Sequence, residues 1–364
     1  MRVLVGSLSR HFGGVESVFR SIILANDRDD LVFDFVCTDS SAANEEDFVA
    51  AGSKVYHIPR PSKDLKGYIK SFRKLFKDGR YDIYHVNLTR FRFPLDVIIA
   101  KSCNVKVVLH CHSTRIYNNV DKKTQVIRKI EHNLFRPVIL NCSNKNIACS
   151  RNAGEYLYGK KPFEILHNGI HLENYLFNEE KRNRIREEYG IQNCKVVGHI
   201  GRFSVEKNHT FFLSIAEELI KMDPNYRFVC VGDGELREKI IQKTKEAGIL
   251  RHFIFPGQRE DIGDFLSSMD VFLFPSIHEA LPITLIEAQA NGLPSVVSDC
   301  VTDEIDVGDM ITRVSLQEDQ LKWAEIVNRL TREKRNTTIH FEDFSDFNIM
   351  KMVSILYDKY RRLA

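Results

Sequence analysis

Short apolar runs recur along the whole sequence, and amphipathic stretches separate them. The first series of runs comprises Val3–Val5, Leu31–Val36, Tyr81–Val86, Lys106–His110 and Asn146–Cys149. Buried strands that alternate with helical segments are typical of a parallel sheet covered by helices. The sequence therefore predicts an α/β fold.

A second series of apolar runs follows a polar stretch over residues 173–193. It comprises Lys195–Ile200, Tyr226–Val231, His252–Phe255, Val271–Phe274 and Pro294–Val297. Two series predict two doubly wound, Rossmann-like domains that face each other across a cleft, over residues 1–172 and 173–345. A chain of 364 residues is long enough for two such domains. The last segment, residues 346–364, predicts a closing helix that packs back on the first domain.

The charge of the chain is divided unequally between its halves. Residues 1–172 contain 27 Lys and Arg against 17 Asp and Glu, and the remainder contains 25 against 32. A basic first half suits an anionic partner such as a membrane surface, a lipid diphosphate or nucleic acid. The sequence carries no zinc finger, RNA-recognition motif or helix-turn-helix pattern, so no nucleic-acid partner is expected.

The cysteines and the apolar runs together indicate in which cellular compartment the protein is expected. Eight cysteines are scattered without the paired spacing of a zinc site, which suits a reduced, cytoplasmic protein. No apolar run reaches the length of about 18 residues that a transmembrane helix needs. The first apolar run is also too short for a secretory signal.

The segment Phe274–Ala290 contains the most informative candidates for ligand-binding residues. It follows an apolar run, and Pro282 suits the first turn of a helix. The free N–H groups of such a helix end suit a diphosphate. Glu279 and Glu287 would repel phosphate but could accept hydrogen bonds from the hydroxyls of a sugar and a ribose. The alternative is that both are exposed acids near a helix start.

Cations follow the first run of the second half. Gly201 and Arg202 come directly after that run, and Lys207 lies five residues further on. A parallel sheet would place these cations at its carboxyl edge, where they can bind phosphate. With no metal-ligand cluster in the sequence, no metal is expected, and these two cations would neutralise a leaving diphosphate. Solvated surface cations are the alternative.

The first half contributes two weaker signals. Gly13 and Gly14 follow the first apolar run, where paired glycines permit close approach of the backbone to a ligand, or form a simple turn. His110 and His112 end another run. A metal site at this histidine pair is not expected, because no third ligand is suggested nearby.

These motifs, taken in order, resemble those of the retaining glycosyltransferases of family four, which have the GT-B fold. The matching stretches are the glycine pair, the strand-end histidine, Leu166–Ile170, Gly201–Lys207, Val231–Gly234, Phe274–Ser276 and the element from Glu279 to Glu287. The segments Glu279–Pro282 and Glu287–Ala290 are most similar to those of bacterial capsule and exopolysaccharide members of the family.

The resemblance implies a role for each matching residue. Arg202 and Lys207 hold the donor diphosphate as it leaves, Glu279 contacts hydroxyls of the transferred sugar, and His112 lies beside that sugar. Glu287 accepts hydrogen bonds from the nucleotide ribose, and Asn168–Gly169 marks an interdomain hinge. The resemblance also implies further donor-binding residues, namely Gly13, Gly14, Gly201, Leu281, Ile283 and Thr284.

The family also implies the reaction. A sugar moves with retention from a nucleoside diphosphate sugar, with a UDP-sugar favoured and a GDP-sugar as the alternative. Many members have Gly-Phe-Gly where this chain has Ala280-Leu281-Pro282, so one backbone contact to the donor is absent or moved. A sugar-nucleotide epimerase of the same architecture and a non-catalytic subunit of a polysaccharide assembly complex remain alternatives.

The acceptor implied is a glycan or a polyprenyl-diphosphate-linked glycan. Residues 115–136 carry six cations, which would suit peripheral contact with the anionic inner face of the plasma membrane. A solvated loop and helix is the alternative for this stretch.

Overall fold

A computed structural model describes residues 1–9, 14–114 and 121–364, apart from the side chain of Ser7. The chain divides into two compact units. One contains residues 1–169 together with 346–364, and the other contains residues 170–345. The sequence put the division after residue 172. It lies three residues earlier because the 3-10 turn Leu172–Tyr175 belongs to the second unit, where the Tyr175 carbonyl accepts a 2.6 Å hydrogen bond from Asn291.

The described residues of the first unit form a parallel sheet of seven strands in the order β3-β2-β1-β4-β5-β6-β7. The strands are β1 (Arg2–Leu8), β2 (Val32–Cys37), β3 (Val55–His57), β4 (Ile83–Leu88), β5 (Lys106–Cys111), β6 (Lys145–Ala148) and β7 (Glu164–Ile165). Every residue of β4 is buried, as expected of a central strand covered on both faces.

Helices connect the strands of this sheet. They are α1 (Gly14–Ala25), α2 (Glu45–Ala50), α3 (Leu65–Asp78), α4 (Leu95–Ser102), α5 (Lys122–Cys142) and α6 (Arg151–Tyr158). Helices α3, α5 and α6 have side-chain N-caps. Asp64, Asp121 and Ser150 each accept a hydrogen bond from a backbone N–H of the first turn.

The second unit, whose residues are all described, has a parallel sheet in the order β10-β9-β8-β11-β12-β13. Its strands are β8 (Lys195–Ile200), β9 (Tyr226–Val231), β10 (Phe253–Gly257), β11 (Val271–Phe274), β12 (Ser295–Ser298) and β13 (Ile311–Val314). Its α-helices are α7 (Glu179–Glu188), α8 (His209–Met222), α9 (Arg237–Glu246), α10 (Ile262–Ser268), α11 (Ile283–Ala290) and α12 (Gln320–Leu330). Trp323 of α12 and Phe212 of α8 are among the largest side chains of its buried core.

The last helix, α13 (Ile349–Arg361), belongs to the first unit. It buries Met352, Leu356 and Tyr360. A side chain on Gly169 would put its Cβ 2.7 Å from the Cα of Ile349, so the glycine allows α13 to lie against this backbone. No helix within the described residues combines the length and the apolarity needed to cross a membrane.

Candidate donor site at the carboxyl edge of the second sheet

The loops that follow β8 and β9 touch through their backbones. Gly232 has a φ of +134°, and a Cβ there would lie 2.1 Å from the carbonyl oxygen of Gly201. The amide of Gly201 donates to Val231, and the amide of Phe203 donates to Asp233 at 2.9 Å. Only glycine fits at position 232, and its contact fixes the strand end that presents Arg202.

Lys207 and Glu279, which the sequence analysis assigned to different parts of a ligand, form an ion pair. The Lys207 Nζ lies 2.7 Å from Glu279 Oε1, and the two side chains are only 15% and 14% exposed. The same ammonium lies 4.5 Å from the ring centroid of Phe274. A cation held by a carboxylate and an aromatic face has a fixed position before any ligand arrives.

Backbone contacts hold the two loops of this pair together. The amide of Ile277 donates to the Glu206 carbonyl at 2.9 Å, and the Asn208 side chain donates to the Pro275 carbonyl at 3.2 Å. The loops after β8 and β11 therefore form one unit, which places Lys207 over the end of β11.

Arg202 is placed differently from Lys207. Its side chain is 59% exposed, and its guanidinium lies 3.2 Å from Glu235, which is also exposed. An exposed pair of this kind contributes little to stability and exchanges readily. Arg202 can therefore turn from Glu235 to an anionic ligand at low cost.

Glu287 lies inside α11 and is buried. Burial raises the pKa of its carboxyl group to about 7, and a hydrogen bond with Tyr175 acts in the opposite direction. The alternative of two exposed acids is wrong, since Glu279 is also largely buried. Tyr175, the partner of Glu287, was not predicted from the sequence, because the 3-10 turn that carries it has no recognisable motif.

Leu281, Ile283 and Thr284 surround the start of α11, which begins directly after Pro282. Leu281 is buried, and the other two are partly buried. The Thr284 hydroxyl is inaccessible and makes no hydrogen bond within the described part of the chain.

Further buried polar atoms around the ends of β8 and β11 lack hydrogen-bond partners among the described residues. They are His199 Nε2, both ring nitrogens of His209, Ser276 Oγ and Thr284 Oγ1. Buried polar groups in native proteins are almost always paired with protein, water or ligand. Their concentration at one sheet edge indicates that this edge is built to hold a polar ligand. His199 and His209 were not singled out from the sequence, and Ser276 was named only as part of the matching stretch Phe274–Ser276.

His112 lies in the first unit, directly after β5. Its Nε2 lies 3.0 Å from the side-chain oxygen of Asn87, and burial lowers the pKa of the ring to about 4. The ring is therefore neutral at pH 7. Because an amide oxygen only accepts, Nε2 carries the proton and Nδ1 is left as an acceptor.

Two further buried histidines lie behind His112. The ring of His110 packs against it at a centroid distance of 4.0 Å, and His110 Nδ1 lies 3.3 Å from His85 Nε2. The hydroxyl of Tyr360 on α13 lies 2.6 Å from the other nitrogen of His85. His110 thus belongs to a neutral hydrogen-bonded cluster, and the ring of His112 packs against it. Among the described residues no group of three His, Cys, Asp or Glu side chains could hold a metal ion.

The two predicted glycines are only partly accounted for. Gly13 lies outside the described residues. Gly14 begins α1, and a Cβ there would meet no atom of the described residues within 4 Å. Packing against the described residues therefore does not require glycine at position 14.

Two family models match the chain in succession. One, described as Glycosyltransferase Family 4, covers residues 12–174, and the other, described as Glycosyl transferases group 1, covers residues 181–332.

Full-length relatives agree with these matches. The Bacillus subtilis (strain 168) protein EpsF, whose name assigns it to the glycosyltransferases, is 30% identical over 87% of this chain and 84% of its own. The Escherichia coli UDP-Gal:alpha-D-GlcNAc-diphosphoundecaprenol alpha-1,3-galactosyltransferase is 26% identical over 82% and 79%. The Staphylococcus aureus capsular polysaccharide biosynthesis glycosyltransferase CapH is 26% identical over 87% of each chain.

A solved structure shows the same fold. The crystal structure of Anabaena HepE in complex with UDP-glucose matches with a TM-score of 0.76 and 18% identity, and the match covers 100% of both chains. The family resemblance and the two Rossmann-like domains predicted from the sequence are confirmed. The chain therefore belongs to the family-four glycosyltransferases of the GT-B fold, and it is a glycosyltransferase of polysaccharide biosynthesis.

Proposed function

We propose that the chain transfers a sugar from a UDP-sugar to a hydroxyl of a lipid-linked glycan, with retention at the anomeric carbon and without a metal ion. A GDP-sugar is the alternative donor. The observation that carries the proposal is the preformed pair of Lys207 and Glu279, set among buried polar atoms that lack partners within the described residues. HepE, which shares the fold, was crystallised with UDP-glucose.

In this proposal the donor diphosphate binds two cations, Lys207 and Arg202. Lys207 leaves Glu279 for a phosphate oxygen, and Arg202 leaves Glu235. Glu279 is then free to accept hydrogen bonds from the sugar hydroxyls. Positive charge placed where the diphosphate leaves stabilises the transition state, and it supplies the neutralisation for which other enzymes use a metal.

The ribose and the transferred sugar of the donor contact other residues in this proposal. Glu287 accepts from the ribose hydroxyls, and the N-terminus of α11 faces the diphosphate with its free N–H groups. His112, a neutral acceptor at Nδ1, accepts from a sugar hydroxyl. Gly13, Gly14, Gly201, Leu281, Ile283 and Thr284 complete the donor-binding set.

Bond changes in the transfer balance without a cofactor. The bond between the anomeric carbon and the diphosphate oxygen breaks, and its electron pair leaves with the diphosphate. The acceptor oxygen forms its bond on the same face of the sugar. Its proton passes to the departing phosphate oxygen.

The acceptor proposed is a glycan linked to a polyprenyl diphosphate. The Escherichia coli relative is named for transfer to a GlcNAc-diphosphoundecaprenol. An acceptor of this kind lies in a bilayer, so the proposal requires that the chain meets a membrane surface on the cytoplasmic side.

The test is a transfer assay with a panel of UDP- and GDP-sugars, lipid extract as acceptor, and either EDTA or Mg²⁺. We expect one UDP-sugar to label the lipid fraction equally in both conditions, and the anomeric coupling of the product to match that of the donor. Labelling that needs Mg²⁺, or an inverted product, contradicts the proposal. Conversion of the donor without any acceptor indicates an epimerase.

A further inference from the structure

The long helix α5 carries an apolar stripe on the side that faces solvent. Its exposed members are Val126, Ile127, Ile130, Leu134 and Val138, with exposed fractions of 58%, 47%, 59%, 61% and 39%. At about 100° per residue they fall within an arc of about 120°, and they extend for about 18 Å along the axis. The stripe is therefore a continuous surface rather than scattered single residues.

The opposite side of α5 is firmly attached to the first unit. His132, Ile139 and Cys142 are buried on that side, and Glu131, at the edge of the stripe, pairs with Arg90 at 2.7 Å. The exposed ring of Phe93 continues the apolar surface, because it packs edge-on against Phe135 of α5 at a centroid distance of 5.6 Å. The stripe is thus presented outward by an anchored helix.

Positive charge borders this stripe. Lys122, Lys123 and Lys129 are exposed on α5 itself. Beside the C-terminal half of the helix, a cavity of about 570 Å³ is lined by Arg136, Pro137, Leu140, Asn141, Tyr158, Lys160 and Lys161. Three of these seven residues are cations and none is acidic. Such a pocket suits a phosphate group.

We infer that α5 and this cavity form a membrane-docking surface, in which the stripe enters the headgroup region of an anionic bilayer and Arg136, Lys160 and Lys161 bind lipid phosphate. Cores of protein interfaces are depleted in lysine and enriched in aromatic residues, whereas this surface combines aliphatic side chains with a lysine border. That combination is typical of helices that lie in a membrane interface. The purpose of this surface rests on the proposed lipid-linked acceptor, whereas the exposed stripe and its cations are observed independently of that proposal.

Vesicle flotation tests the surface without donor or acceptor. We expect the wild-type chain to float with phosphatidylcholine vesicles that contain phosphatidylglycerol, and far less with phosphatidylcholine alone. Binding should weaken as salt is raised, because each cation near an anionic surface contributes about fivefold to the partition.

Two double variants, each with a matched control, separate the stripe from the cations. Ile130→Asn with Leu134→Asn should lower the partition on the order of 100-fold, whereas Leu24→Asn with Leu321→Asn, at other exposed positions, should not. Lys160→Gln with Lys161→Gln should weaken the preference for phosphatidylglycerol by about 25-fold, whereas Lys239→Gln with Lys245→Gln on α9 should keep it.

Three results overturn the inference. They are a wild-type chain that does not float with anionic vesicles, an I130N/L134N variant that floats as well as wild type, and a wild-type dimer that the same variant dissociates. The last result would make the stripe an interface between copies. Thermal stabilisation by UDP should be equal in wild type and I130N/L134N, so failure of the donor site and failure of the docking surface are distinguishable.

Discussion

Lys207 is the residue on which the proposed chemistry depends most. Its ammonium is held by Glu279 and by the face of Phe274, so its position is set before the donor binds. Lys207→Ala should reduce turnover on the order of 100-fold or more, because a preorganised charge at the leaving diphosphate is lost. Steady-state kinetics check this, with Lys221→Ala as the exposed control. Near-normal turnover in a folded Lys207→Ala protein would remove Lys207 from the mechanism.

Glu279 competes with the diphosphate for Lys207 in this account. Glu279→Gln should therefore bind UDP roughly fivefold more tightly, because both the competing charge and its repulsion of phosphate are gone. The same variant should turn over the UDP-sugar more slowly, since a charged acceptor binds the sugar hydroxyls more strongly. Calorimetry with UDP and kinetics with the sugar nucleotide measure the two effects. If both affinity and turnover fall, the exchange of partners is wrong. Glu238→Gln, at an exposed pair with Arg237, serves as the control.

Glu287, which the proposed function places at the ribose, lowers the stability of the folded chain when its carboxyl group is ionised. Burial raises the pKa of its carboxyl group to about 7, so the folded chain holds this proton more tightly than the unfolded chain does. Its contribution is most favourable below about pH 4.5 and is lost as the pH rises through about 7. Glu287→Gln should therefore raise the unfolding free energy at pH 8 by up to about 3 kcal/mol, but not at pH 4. Denaturation at both pH values checks this against Glu238→Gln, and an equal effect at the two pH values would contradict it.

The element that shapes the donor site is the contact between the loops after β8 and β9. Gly232→Ala should lower the unfolding free energy by at least about 2 kcal/mol and weaken UDP binding, because its Cβ would collide with the Gly201 carbonyl. Gly248→Ala is the matched control, since Gly248 also has positive φ but nothing within 4 Å. It should cost about 1 kcal/mol and leave UDP binding unchanged. Equal losses in the two variants would mean that backbone strain, not the loop contact, is responsible.

At this scale the sequence predicted the strands better than the faces of the helices. Runs such as Lys106–His110 are buried on both sides, so composition alone identifies them, whereas the two-residue β7 is too short to show a pattern. In α3, Leu65, Ile69, Phe72 and Phe76 recur at helical spacing, which predicts one apolar face, yet the structure exposes Leu65 and buries Tyr68. The exact face depends on neighbouring elements, which helical periodicity does not encode.

The whole chain returns to its first unit after completing the second. Closing helix α13 contributes Tyr360 to the buried cluster of His85 and His110, a long-range contact that no local motif could reveal. The motif spacing likewise predicted Lys207 and Glu279 as site residues but not their pairing, because the pairing depends on how two loops meet in space. The sequence did establish the two domains and the family, since those depend on an ordered set of motifs along the entire chain.

In the proposed function, the second unit binds a nucleoside diphosphate without a metal ion. Thermal unfolding of the whole chain with UDP, GDP, ADP or dTDP, each with EDTA or with Mg²⁺, tests it most directly. A ligand at 100 times its dissociation constant stabilises the folded state by about 2.7 kcal/mol, which should raise the midpoint by several degrees. We predict that UDP alone among the four gives this shift, equally in EDTA and in Mg²⁺, and that Lys207→Ala abolishes it. No shift with any nucleotide, or a shift that requires Mg²⁺, would contradict the account.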